Sequence, residues 1–130
     1  IRQALNARPP APASQAPARR SLRVLLVEDD ALIRMTTGAM LEAMGCTVAE
    51  AADADNALSV MARQEVDVLL TDVSLPRMSG TELAARALST RAGLRVVFAT
   101  GQDLELDGAL SDSIVLMKPY TEEDLRKALG

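Results

Sequence analysis

Three carboxylates, a hydroxyl and an amine stand where apolar runs end. Residues 22–27 lead into Glu28-Asp29-Asp30, and residues 66–71 lead into Asp72. Residues 94–99 lead into Thr100, and residues 114–117 into Lys118. In an open parallel α/β sheet, ligands bind in the crevice outside the carboxyl ends of the strands. If the runs are strands, all five groups meet at one rim. A carboxylate there can attack phosphorus and form an acyl phosphate, provided a cation offsets repulsion from the phosphoryl oxygens. Mg²⁺ prefers octahedral oxygen ligands and keeps several waters. Asp29 and Asp72 suit direct ligation, Glu28 suits contact through water, and a backbone carbonyl just after Asp72, that of Ser74, completes the set. Thr100 and Lys118 suit the phosphoryl oxygens. Pro119 restricts Lys118 to extended backbone.

Composition narrows the alternatives. The 130 residues contain no histidine and one cysteine, Cys46. No Ser-His-Asp or Cys-His pair can form, no His-based zinc site is available, and no internal disulfide can close. A phosphohistidine donor must therefore be supplied by another domain or protein. Residues 22–130 hold ten bases against eighteen acids, a net of −8. That balance argues against nucleic-acid binding and suits a hard cation. No apolar run approaches 18 residues, so no membrane contact by this segment is expected. The first twenty residues lack the apolar stretch of a signal peptide. A reducing, cytoplasmic location is expected, with any membrane anchor lying upstream in a parent protein. Beginning at Ile1, the chain reads as a piece of something longer.

Residues 1–21 carry four of the six prolines and four arginines with no acid. This is the composition of a semi-rigid linker or a disordered arm, and residues 1–7 read as the tail of a preceding helix. From residue 22 the pattern alternates between strands and helices. Strands are expected over 22–27, 47–51, 66–71, 94–100 and 113–117. Helices are expected over 31–44, 53–63, 80–88 and 121–129. The first turns Ile33, Thr37, Met40, Leu41 and Met44 inward and stops at Gly45. Asp53 caps the second. Thr121-x-x-Asp124 opens the last as a capping box. Alternation of this kind implies right-handed crossovers and a parallel sheet. The flavodoxin-like order 2-1-3-4-5 puts the second strand, which ends in Glu50-Ala51-Ala52 with no obvious chemical group, at an edge. Residues 101–112 hold two glycines and four acids without a base, with Leu104, Leu106 and Leu110 off any helical stripe. One or two helical turns, or a mobile loop, are expected there instead of a full helix.

Glu28-Asp29, Asp72 with Pro76 and Gly80, Thr100, and Lys118-Pro119 resemble, in order and spacing, the motif set of response-regulator receiver domains over about residues 22–130. The resemblance implies a doubly wound five-stranded parallel sheet that takes a phosphoryl group from a histidine kinase onto Asp72. It implies Mg²⁺ (or Mn²⁺) held by Asp29, Asp72 and the Ser74 carbonyl with Glu28 assisting, and Thr100 and Lys118 on the phosphoryl oxygens. It also makes Lys118–Pro119 a cis candidate. Many such domains carry an aromatic residue three positions before the lysine, where this chain has Val115. Phe98-Ala99-Thr100-Gly101 is similar to a subgroup without that aromatic switch.

The expected role is that of a receiver in a hybrid histidine kinase. It would be loaded by a kinase core in cis or in trans and would pass the group to a histidine phosphotransfer protein. A stand-alone regulator, a phosphate sink and a docking pseudo-receiver remain open. A haloacid-dehalogenase-like phosphatase would need a second Asp where Ser74 stands. An FMN module would find its phosphate repelled by Glu28-Asp29-Asp30. Cys46 and Tyr120 are read as packing residues.

Overall fold

The computed structural model describes residues 21–130. The linker expected over residues 1–21 falls, but for Ser21, outside the described residues. The elements in chain order are β1 (Arg23–Val27), α1 (Ala31–Ala43), β2 (Thr47–Ala51), α2 (Ala54–Arg63), β3 (Val68–Asp72), α3 (Gly80–Thr90), β4 (Arg95–Thr100), a single 3₁₀ turn (Gly108–Leu110), β5 (Ile114–Met117) and α4 (Glu122–Leu129). All strand pairs are parallel, in the order β2-β1-β3-β4-β5. This is the flavodoxin-like, doubly wound arrangement expected from the alternation.

The central strands β1, β3 and β4 are buried on both faces, which is why they read as unbroken apolar runs. Side chains alternate along each strand. Leu25, Val27, Leu69 and Phe98 pack with Ala57, Met61, Leu83 and Ala87 from α2 and α3. Val24, Leu26, Leu70, Val97 and Leu116 pack with Leu41 of α1 and Leu125 and Leu129 of α4. Among the described residues no helix is long and apolar enough to cross a membrane.

Side-chain caps start all four helices. Asp30 accepts from Leu32 N and Ile33 N, Asp53 from Asn56 N, and Ser79 from Glu82 N. Thr121 and Asp124 form the reciprocal box expected from their spacing. Gly45, at φ +91°, ends α1 in the left-handed region that favours glycine. Two details of the helices differ from the sequence expectation. Helix α3 runs two residues further, to Thr90. Ile33 is 38% exposed and not inward. The first turn of α1 rises beyond the strand ends, so Ile33 borders a shallow apolar cleft with Met40, Pro119 and Tyr120 instead of lying on the sheet.

Between β4 and β5 the chain makes only the 3₁₀ turn, as its composition implied. Leu104, Leu106 and Leu110 lean on the core beside α3, while Asp103, Glu105, Asp107 and Asp112 face solvent. With no full helix over it, the outer end of β5 leaves Val115 36% and Met117 47% exposed.

The start of α3 presses on the end of β3. A Cβ at Gly80 would lie 2.1 Å from the Asp72 carbonyl oxygen and 3.0 Å from Val73 Cα. Backbone cannot yield as a flexible side chain can, so overpacking there should be costly. Gly80→Ala is expected to destabilise the domain by about 2–3 kcal/mol in denaturant unfolding. Gly93→Ala, where a Cβ meets nothing within 4 Å, should stay within about 0.5 kcal/mol. Equal effects of the two would contradict this account of the β3–α3 junction.

Candidate functional site

The parallel register aligns the carboxyl ends of β1, β3 and β4, and the chemistry-bearing side chains emerge there. Glu28, Asp29 and Asp72 each bring a carboxylate oxygen within 4.8 Å of the others. Glu28 is 3% and Asp72 9% exposed, while Asp29 is open to solvent. Lys118, entering from the end of β5, places Nζ 3.2 Å from Glu28 Oε1 and 3.4 Å from Asp72 Oδ2. The Lys118–Pro119 peptide is cis.

Backbone donors hold two of the carboxylates. Asp30 N donates to Glu28 Oε2 at 3.1 Å, and Ser74 N donates to Asp72 Oδ1 at 3.3 Å. The Asp72 carbonyl accepts from Thr71 Oγ1 at 2.9 Å. Burial pushes the Glu28 carboxyl above the usual carboxylate range, against the pull of the Asp30 N–H and Lys118, and the Asp72 charge adds to the rise. Burial works to lower the pKa of Lys118, but Asp72 and Glu28 outweigh it and hold the ammonium above its ordinary value.

The structure brings Glu28, Asp29, Asp72 and Lys118 together as their types and spacing implied. Glu28 is the most buried of the three acids. Ser74 is exposed and adjoins Asp72 through its backbone. Thr100 lies at the same rim, but its hydroxyl is engaged with its own loop. Its Oγ1 accepts from Gln102 N at 3.1 Å and lies 3.2 Å from Gln102 O. Cys46 is half-buried and packs against the core, with burial raising its thiol pKa. Tyr120 packs as expected.

Three contributors were not legible in the sequence. Thr37, 1% exposed, shares a 2.8 Å hydrogen bond with the Tyr120 hydroxyl across 83 residues. Arg34 donates through Nη1 to the Glu28 carbonyl at 2.7 Å, and its Nε lies 3.5 Å from Glu50 Oε1. An arginine six residues past Glu28 on a helix is the only hint the sequence holds. Glu50, which had no assigned role, takes one only through this contact.

The donor set is all oxygen and anionic, with one ammonium alongside. Such a set fits a hard divalent cation of the Mg²⁺ class better than a soft or imidazole-seeking metal. The half-exposed ammonium beside Asp72 also marks a place for an anionic group to sit.

The sequence model of the response regulator receiver domain matches residues 24–130. A gliding motility regulatory protein of Myxococcus xanthus is 44% identical over 65% of this chain and 11% of its own length. The transcriptional regulatory protein PdtaR of Mycobacterium tuberculosis is 33% identical over 91% of this chain and 60% of its own. The sensor histidine kinase AruS of Pseudomonas aeruginosa is 37% identical over 96% of this chain and 13% of its own. The chain thus spans a minor to moderate part of each. Among solved structures, the signal receiver domain of an HD domain-containing protein from Pseudomonas fluorescens superimposes with a TM-score of 0.77 at 30% identity, covering 85% of this chain and 92% of that one. The chemotaxis response regulator CheY4 of Vibrio cholerae gives 0.75 at 29%, covering 85% and 97%. With the family's sequence model matched across nearly all of the described fold, the chain belongs to the response regulator receiver domains of two-component signalling.

Proposed function

We propose that this domain accepts a phosphoryl group from a phosphohistidine onto Asp72 in a Mg²⁺-dependent (or Mn²⁺-dependent) reaction. The observation that carries the proposal is the Asp72 carboxylate, 9% exposed, with Lys118 Nζ 3.4 Å away and two more carboxylates converging on it. An Asp72 oxygen forms a bond to phosphorus as the phosphorus–nitrogen bond of the donor breaks, and the imidazole departs with the electron pair. Asp29, Asp72 and the Ser74 carbonyl would hold the cation, with Glu28 beside them. The cation, when bound, offsets the repulsion between the attacking carboxylate and the phosphoryl oxygens. Lys118 is already directed to Asp72 and exchanges one carboxylate for a phosphoryl oxygen as charge develops. Thr100 supplies its hydroxyl to another such oxygen once it releases Gln102.

The donor histidine lies outside this chain, since the chain has none. We read the parent protein as a hybrid histidine kinase, with its kinase core in cis or in trans as donor and a histidine phosphotransfer protein as acceptor. Three features support this. A sensor histidine kinase aligns over 96% of the chain. A proline- and arginine-rich stretch precedes the fold. The absence of an aromatic residue at Val115 suits a domain whose output is onward transfer. The match to PdtaR over 60% of that regulator's length favours the second reading, a short regulator with the same chemistry. Over 22–130 this makes one receiver domain of the Phe-Ala-Thr-Gly subgroup, cytoplasmic in the parent protein.

Intact mass tests the acceptor. With Mg²⁺ and a small-molecule acyl phosphate, wild type should gain one phosphoryl group, and Asp72→Asn or addition of EDTA should abolish the gain. Undiminished labelling of Asp72→Asn would place the acceptor elsewhere. Lys118→Ala should slow labelling at least tenfold, in line with about 10²–10³-fold for loss of a transition-state donor, with an unchanged far-UV spectrum.

Linkage gives a pH test. The folded-state pKa of Glu28 stands above its unfolded value, so the folded state is disfavoured as pH rises from the unfolded pKa, about 4.3, through the raised one. Glu28→Gln removes that cost. Its Tm relative to wild type, both without metal, should become more favourable between pH 4 and pH 7.5. Mg²⁺ should raise the wild-type Tm more than that of the variant. A pH-independent difference would show that burial of the Glu28 charge is not the cause.

A further inference from the structure

We infer that Arg34, braced by Glu50, is a positioning residue that fixes the Glu28–Asp29 peptide and so aims Asp29 at Asp72 for cation binding. The inference rests on the Mg²⁺-dependent reading of the site.

The segment that carries two of the three acids is tied at both ends. Glu28 N donates to the Ala51 carbonyl at 3.1 Å, fastening the start of the turn to β2. Asp30 accepts from Leu32 N at 2.9 Å and Ile33 N at 3.0 Å, fastening its end to α1. Between these anchors lies the peptide that joins Glu28 to Asp29. A peptide unit is planar, so whatever holds its carbonyl also holds the Asp29 nitrogen and limits where the Asp29 side chain can point. Arg34 Nη1 holds that carbonyl at 2.7 Å. Asp29 is the exposed member of the acidic trio and gains most from a fixed backbone.

Arg34 is itself held. Its Nε faces Glu50 Oε1 at 3.5 Å, so one planar guanidinium bridges β1 and β2 from helix α1. A lysine has the charge but not the fork. Gly38 lies one turn further along the same helix face, at the i+4 position. A Cβ there would come within 2.8 Å of Glu50 Oε2, so the glycine leaves the space that the carboxylate occupies. Arg34, Gly38 and Glu50 together form a built latch. Its grip is on a backbone carbonyl, which makes its contribution directional rather than a matter of net charge. Groups that orient metal-binding side chains from behind commonly change metal affinity by about 10–100-fold when removed.

Calorimetric titration of Mg²⁺ into the metal-free full chain at 25 °C tests this, alongside amide NMR of Asp29 and Asp30 in the absence of metal. Arg34→Ala should raise the Mg²⁺ Kd about tenfold and broaden or shift both amides, yet reach wild-type phosphoryl mass at saturating Mg²⁺. Arg34→Lys should recover less than half of the loss, whereas Glu50→Gln, which keeps an acceptor, should stay within about threefold of wild type. Leu41→Ala, which weakens the core away from the site, should leave the Kd unchanged. A wild-type Kd in Arg34→Ala, a fully restored Kd in Arg34→Lys, or an equal loss in Leu41→Ala would each overturn the latch. Failure of wild type itself to bind Mg²⁺ would overturn the underlying reading of the site, and the latch with it.

Discussion

A carboxylate that is 3% exposed, set among two other carboxylates, is the constraint around which this molecule is arranged. Removing a charge from water is costly unless it is paired and hydrogen-bonded, and clustering like charges adds to the cost. The fold meets this by bringing counter-groups from distant parts of the chain to one rim. Lys118 arrives from the far side of the sheet, 90 residues after Glu28. Backbone N–H groups of Asp30 and Ser74 supply further partners. These two are local, each two residues from the carboxylate it serves, so it is the Lys118 contact and the meeting of Glu28 with Asp72 that require the completed sheet. Burial, with the Asp72 charge adding to it, raises the Glu28 pKa, and a cation entering the cluster would offset that cost.

The same requirement explains why the core is so regular. Two apolar layers sandwich five short parallel strands, and β3, which carries Asp72, is buried along its whole length. A side chain at the end of such a strand has little freedom to wander. Close approach of α3 at Gly80 fixes the peptide on which Asp72 sits and directs the following turn back across the rim. Rigidity at the centre is matched by economy at the edge, where residues 101–112 spend one 3₁₀ turn in place of a helix.

The strand ends, the sheet order and the four gathered site residues were legible because they follow from period and punctuation. Apolar runs that stop at acids, caps such as Asp53, and the Thr121–Asp124 box are local patterns, and each was found where the sequence placed it. The Ile33 error shows the limit. Helical periodicity says which residues share a face, not how far the helix overhangs the sheet. Glu50 shows another limit. Its partner is a helix residue 16 positions away, and neither type nor spacing distinguishes it from any solvated acid. Thr37 and Tyr120 meet only through the tertiary fold. What sequence could not show was which polar side chains of α1 would find partners on β2 and after β5.

Thr100 illustrates how the resting site connects to the proposed reaction. Its hydroxyl donates to the Gln102 carbonyl and accepts from Gln102 N, so to donate to an incoming phosphoryl oxygen it would have to give up the first of these contacts. That exchange replaces one neutral hydrogen bond with one to a charged acceptor, which is the stronger kind. The segment that must yield is the acidic, single-turned stretch from Gly101 to Asp112, held to the core chiefly by Leu104, Leu106 and Leu110. Few buried groups need to be disturbed, and regions of that kind open at the low end of a protein's stability range. Thr100 and that stretch are joined directly through Gly101, so any change in the Thr100 contacts falls at the start of it.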